Sequence, residues 1–110
     1  MKPGMQCMVI LGLVAGVFGS GLAQAGDARQ GKEKATICAA CHGLDGNSPS
    51  PEFPRIGGQH EDYLLRALLD YKSGERKNPI MASQVESLSK KDLADLAAWY
   101  ASQSGLYLKR

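Results

Sequence analysis

Cys38-Ala39-Ala40-Cys41-His42 places two thiols three residues apart and an imidazole directly after the second. That C-x-x-C-H spacing suits the covalent attachment of a c-type haem. On one turn of helix, both sulfurs reach the same edge of a porphyrin and add across its two vinyl groups as thioethers. The adjacent histidine then lies under the ring and offers a nitrogen to the iron. Ala39 and Ala40 are small enough to lie close to the macrocycle.

Other chemistries compete for these residues. A structural zinc ion takes four ligands, commonly from a second paired motif, and outside this one only His60 stands by, apart from Cys7 in the apolar N-terminal segment. A thioredoxin-like redox pair sits near a βαβ pattern, and β-branched alternation is scarce here. A plain disulfide across two intervening residues is a poor staple.

The sixth position of a c-type haem iron is commonly taken by methionine. Met81, 39 residues after His42 in Asn78-Pro79-Ile80-Met81, is the candidate, in a segment that reads as loop. Pro79 restricts its own backbone and that of Asn78, stiffening this loop. The competing reading of a lone methionine is flexible core filler. His60 is the rival ligand, although its place at the start of a helix reads as an exposed capping position. Pro54 follows His42 by 12 residues. Its carbonyl is placed to accept a hydrogen bond from the outer ring nitrogen of His42 and so to orient the imidazole. The alternative is an ordinary turn proline.

The elements that must position these groups read as all-helical. Asp27 suits an N-cap with Gln30 three residues on. That helix is predicted to reach about Cys38 and deliver the motif at its end. Gly31 inside it costs about 1 kcal/mol against alanine; it either permits close packing of another helix or is simply tolerated. Residues 44–58 are rich in Gly, Asn, Ser and Pro, and a loop this long in a small domain is usually functional. A second helix is predicted over Glu61 to Lys72, with Leu64, Leu65, Leu68, Leu69 and Tyr71 on one face and Gly74 as a left-handed stop. Ser89-Lys90-Lys91-Asp92 is a capping box that starts a last helix, with Leu88 and Leu93 spaced as a hydrophobic staple. Gly105 is its predicted stop, and Trp99 and Tyr100 read as core aromatics packing on the first helix.

The chain has 110 residues, room for one small domain. Lys2, the apolar run Met8 to Phe18 and Ala23-Gln24-Ala25 together read as a cleaved secretory leader over residues 1–25. The run is shorter than the roughly 20 residues that span a bilayer. No stable membrane insertion is therefore expected after cleavage. The mature domain, residues 26–110, keeps Cys38, Cys41, His42, His60 and Met81 as its only cysteines, histidines and methionine. Its formal charge is +1, from twelve basic and eleven acidic residues. That near-balance argues against nucleic acid, which calls for a basic stripe.

The whole order of elements resembles class I cytochrome c. Three stretches are similar to the cytochrome c4 and c553 group. They are Phe53-Pro54-Arg55-Ile56-Gly57-Gly58-Gln59-His60, the run Tyr71-Lys72-Ser73-Gly74-Glu75-Arg76-Lys77-Asn78-Pro79-Ile80-Met81, and Leu88-Ser89 followed by Asp92 to Tyr100. The resemblance implies an all-α fold wrapped around one haem c, covalent through Cys38 and Cys41, with His42 and Met81 as the ligands of its iron. It further implies a periplasmic electron carrier that meets redox partner proteins and is not an enzyme. Two rivals remain: a cytochrome subunit of a dehydrogenase or oxidase complex, and a five-coordinate haem that binds small ligands or acts as a peroxidase if Met81 does not bind. Two departures stand out. Cytochrome c4 has two haem domains in tandem, and one C-x-x-C-H means one haem. The family often has a bulky aromatic in the first helix, where this chain has Ala35 and Ile37. That implies a looser contact with the last helix.

Overall fold

The computed structural model describes residues 25–106, together with Gly4 and Gly12. Apart from Gly12, the apolar run of the predicted leader lies outside the described residues. Among the described residues five helices succeed one another: α1 Ala28–Lys34, α2 Thr36–His42, α3 Glu61–Ser73, α4 Pro79–Val85 and α5 Lys90–Ala101. Among the described residues there is no strand, and no helix is long and apolar enough to cross a membrane. The all-helical expectation holds.

The predicted first helix is divided. Asp27 caps α1, its carboxylate accepting from the amides of Arg29 and Gln30 at 2.9 and 3.2 Å. At Ala35 the amide takes the Lys32 carbonyl, three residues back, at 3.3 Å. This tighter turn interrupts the α-helix. Ala35 has no exposed surface and packs with Leu64, Leu96, Ala97 and Tyr100. α2 then continues through His42, so the motif occupies a helix of its own rather than the frayed end of α1.

α5 is the centre of the fold. Ser89 and Asp92 form the reciprocal capping box, and Leu93, at the staple position, is fully buried. Residues 93–98 are buried on every side rather than along one stripe. Small residues on both partners make this possible. A Cβ on Gly26 would strike the carbonyl oxygen of Ala94, and one on Gly31 that of Asp95. The α1–α5 contact is therefore close, not loose: the absence of a bulky aromatic is matched by glycine at the crossing. Asp95, 2 % exposed, holds the crossing together. Its Oδ1 accepts from the Asp27 amide at 2.8 Å, and its Oδ2 from Lys34 and Lys91 at 2.6 and 2.9 Å.

The helix α5 ends at Ala101, short of Gly105. The Ser102 hydroxyl donates to the Trp99 carbonyl at 2.6 Å, and the Gln103 side-chain amide to the same oxygen at 3.3 Å. Side chains thus satisfy the last turn before the glycine is reached. The tips of both aromatics are hydrogen-bonded as well. Trp99 Nε1 donates to the Leu44 carbonyl at 2.7 Å, and Tyr100 Oη to that of Gly43 at 3.1 Å. Tyr100 is core, as expected, whereas Trp99 is half-buried with Lys32 over its ring. Together they pin the chain immediately after His42.

Candidate haem site

The predicted site residues come together. Cys38, Cys41 and His42 of α2, Pro54 of the long loop and Met81 of α4 line one cavity of about 640 Å³, a volume typical of cofactor and ligand sites. His60 is exposed and lies outside this lining.

Helix α2 presents both thiols from one turn, since residues three apart share a face. Cys38 and Cys41 are free thiols. Burial, reinforced by the neighbouring Cys41, pushes the Cys38 thiol above its ordinary value and favours its protonated form. His42 is 8 % exposed. Its Nδ1 lies 2.8 Å from the Pro54 carbonyl oxygen. A carbonyl only accepts, so Nδ1 carries the proton and donates. Nε2 is left with its lone pair available, which is the tautomer a metal-binding imidazole needs. This is the contact anticipated from the position of Pro54. The loop reaches His42 by doubling back on itself. Gly46, at φ 77°, packs against Gly57, and its carbonyl accepts from the amides of Ile56 and Gly57 at 2.8 and 3.1 Å.

Met81 is carried on a helix, not on the loop expected for it. The Asn78 side chain accepts from the amides of Ile80 and Met81 at 3.0 and 3.1 Å, and Pro79 occupies the first helical position. Asn-Pro is a legible start signal. The brevity of the helix, seven residues, and the lack of a long apolar period hid it. Sequence reasoning also missed Tyr63, Arg76 and Val85 as cavity residues. α3 supplies Leu64 and α5 supplies Leu96, Ala97 and Tyr100, which belong to the core cluster and also line the cavity. Core and site are one continuous apolar surface. Burial pushes the Tyr100 phenol well above its ordinary range, with the nearby Cys38 and Asp45 acting in the same direction, so it stays a neutral donor to Gly43.

This arrangement can accept a flat apolar ring. The cavity offers mostly carbon, two thiols sit on one turn, and an imidazole nitrogen and a thioether sulfur line the same space. Nitrogen and sulfur are the donors of a cytochrome iron, and the residues fit the group.

Comparison with known proteins agrees. The family model for cytochrome c matches residues 28–104. A cytochrome c4 of Pseudomonas aeruginosa is 53 % identical over 85 residues, covering 76 % of this chain and 42 % of that protein. A cytochrome c-554(548) of Halomonas halodenitrificans is 42 % identical over 82 residues, covering 72 % of this chain and 99 % of that one. The crystal structure of reduced recombinant cytochrome c4 from Pseudomonas stutzeri superposes with a TM-score of 0.70 at 46 % identity, over 74 % of this chain and 48 % of that one. The chain spans about half the length of the cytochrome c4 relatives it matches.

Proposed function

Because the chain belongs to the cytochrome c family, we propose that it is a periplasmic carrier of single electrons, with one haem c held covalently by Cys38 and Cys41 and ligated by His42 and Met81. The observation that carries this reading is the convergence of those four residues on a single cavity continuous with the core.

When bound, the haem supplies a one-electron iron couple. The residues of the chain do the rest. Cys38 and Cys41 would tether the ring edge to α2. The Pro54 carbonyl keeps the His42 imidazole in one orientation and one tautomer through the 2.8 Å bond. Leu64, Leu96 and Ala97 line the same cavity and would exclude water from a ring held there. If His42 and Met81 both held the iron, no position would be open to a substrate, which supports a carrier rather than an enzyme. The leader reading of residues 1–25 supports export, and residues 26–110 are then the mature monohaem domain. Donor and acceptor are redox proteins that meet the haem edge briefly through small interfaces. Nucleic acid has no place in this reading.

The test is an absorption spectrum of the exported protein from cells able to attach haem. The reading expects a sharp reduced α-band, the weak far-red sulfur-to-iron band in the oxidised form, and haem that stays with the protein on denaturation. A high-spin spectrum that shifts with carbon monoxide would instead indicate an open iron and a ligand-binding protein.

A further inference from the structure

The helix that carries Met81 is joined to α3 by cations near the C-terminal end of α3. α4 has seven residues, too few to be stable by itself, so its position depends on its contacts. Lys72, on the last turn of α3, extends Nζ to the carbonyl oxygens of Glu86 at 2.8 Å and Val85 at 3.5 Å. The Val85 carbonyl already accepts from the Leu88 amide at 3.0 Å, so the contact that carries the clamp is the shorter one, to the Glu86 carbonyl at the C-cap of α4, at an end where positive charge is favoured. The start of the same segment is tied to the same helix. The Arg76 amide donates to the Asp70 carbonyl at 3.1 Å, and its guanidinium lies 5.0 Å from the Tyr71 ring centroid and 3.5 Å from Tyr63 Oη.

Lys72 is exposed and is absent from the cluster formed by Ala35, Leu64, Leu96, Ala97 and Tyr100. It therefore acts on α4 without supporting the main core. We infer that Lys72 is a positioning residue for Met81: by capping the far end of α4 from α3, it sets how firmly the sulfur is held in the cavity. Val85, next to the Glu86 carbonyl that receives the ammonium, is 2 % exposed and lines the same cavity as Met81, so displacement at this end is felt inside the site. The inference rests on the reading of Met81 as a haem ligand.

The test uses the haem-loaded protein and compares wild type with Lys72→Met and Lys72→Arg. Methionine keeps the apolar stem and loses the ammonium, whereas arginine keeps a donor cation. Two properties are followed: the far-red sulfur-to-iron band in the oxidised form and the rate of carbon monoxide binding to the reduced form, which requires the sulfur to leave. Lys72→Met is expected to bind carbon monoxide about fivefold faster, the scale of one exposed charge-assisted hydrogen bond, and to lose its far-red band at lower denaturant. Helix content and covalent haem should be unchanged. Lys72→Arg should return both properties toward wild type. If wild type itself lacks the far-red band, Met81 is not a ligand and the premise falls with it. If wild type has the band but the Lys72→Met rate is unchanged, or Lys72→Arg does not restore it, the clamp alone is overturned.

Discussion

The Oδ1 atom of Asp95 accepts a hydrogen bond of 2.8 Å from the backbone amide of Asp27, 68 residues earlier in the chain. A buried carboxylate thus closes the start of the domain onto its last helix. The same carboxylate draws Lys34 and Lys91 to its other oxygen. Gln30, which the capping-box pattern would turn back toward Asp27, instead accepts from Lys91 at 2.8 Å.

Asp95→Asn should destabilise the folded protein by about 2 kcal/mol, since it keeps an acceptor for the Asp27 amide but removes the charge two lysines address. Asp95→Ala should cost more, because the amide then loses its partner as well. Denaturant unfolding of the haem-loaded variants checks the order, and equal stability of Asn variant and wild type would exclude an electrostatic role.

Acid should unfold the domain through the same cluster. Lys34, then the Ser89 amide and hydroxyl, lower the Asp92 carboxyl from 3.8 to about 2. Burial opposes ionisation of Asp95, but the Asp27 amide, Lys34 and Lys91 outweigh it and hold that carboxyl well below the usual range. Both groups have depressed folded values. Their stabilisation is present above the unfolded value near 3.8 and is lost as pH falls through the folded values. Melting temperature should drop between about pH 4 and pH 2, and the drop should be shallower in Asp92→Asn. A pH profile identical to wild type in that variant would remove Asp92 from the linkage.

Gly31→Ala separates helix propensity from packing. Propensity favours alanine by about 1 kcal/mol, yet the new methyl would strike the Asp95 carbonyl oxygen, which is backbone and cannot rotate away. Overpacking of this kind costs about 1–3 kcal/mol or more, so the variant should melt lower than wild type. A higher melting temperature would mean that the α1–α5 crossing has slack.

Met81→Ala should leave haem covalently attached while the far-red band disappears and the reduced protein binds carbon monoxide. The α4 start should persist, because Asn78 caps through backbone amides. An unchanged low-spin spectrum would hand the position to another residue.

The double variant Cys38→Ala/Cys41→Ala should lose covalent haem and most of its helix content. Leu64, Leu96, Ala97 and Tyr100 line the cavity and also belong to the core cluster, so a ring held there would be packed by the same side chains that hold the helices together. Native-like circular dichroism without haem would show that the helices stand alone.

Local chemistry was legible along the chain. The thiols and imidazole of Cys38, Cys41 and His42, the Ser89–Asp92 box, the Gly74 stop and Met81, the one methionine of residues 26–110, are each readable from residue type and spacing within a few positions, because caps and motifs act over one turn. Even the Pro54 contact was readable, once a proline twelve residues past His42 was set against a ring nitrogen needing an acceptor. The helical start at Asn78-Pro79 was equally local and was masked by the shortness of α4. The rest required the tertiary structure. The packing of Ala35 against Leu96 and Ala97, the glycine crossing at Gly31, the burial of residues 93–98 on all sides and the choice of Asp95 over Gln30 as the partner of the Asp27 amide all depend on groups some 60 residues apart in sequence meeting in space. No local pattern encodes such a meeting. It is decided when two helices lacking large side chains at their contact bring their backbones together, and a buried carboxylate must find its donors there.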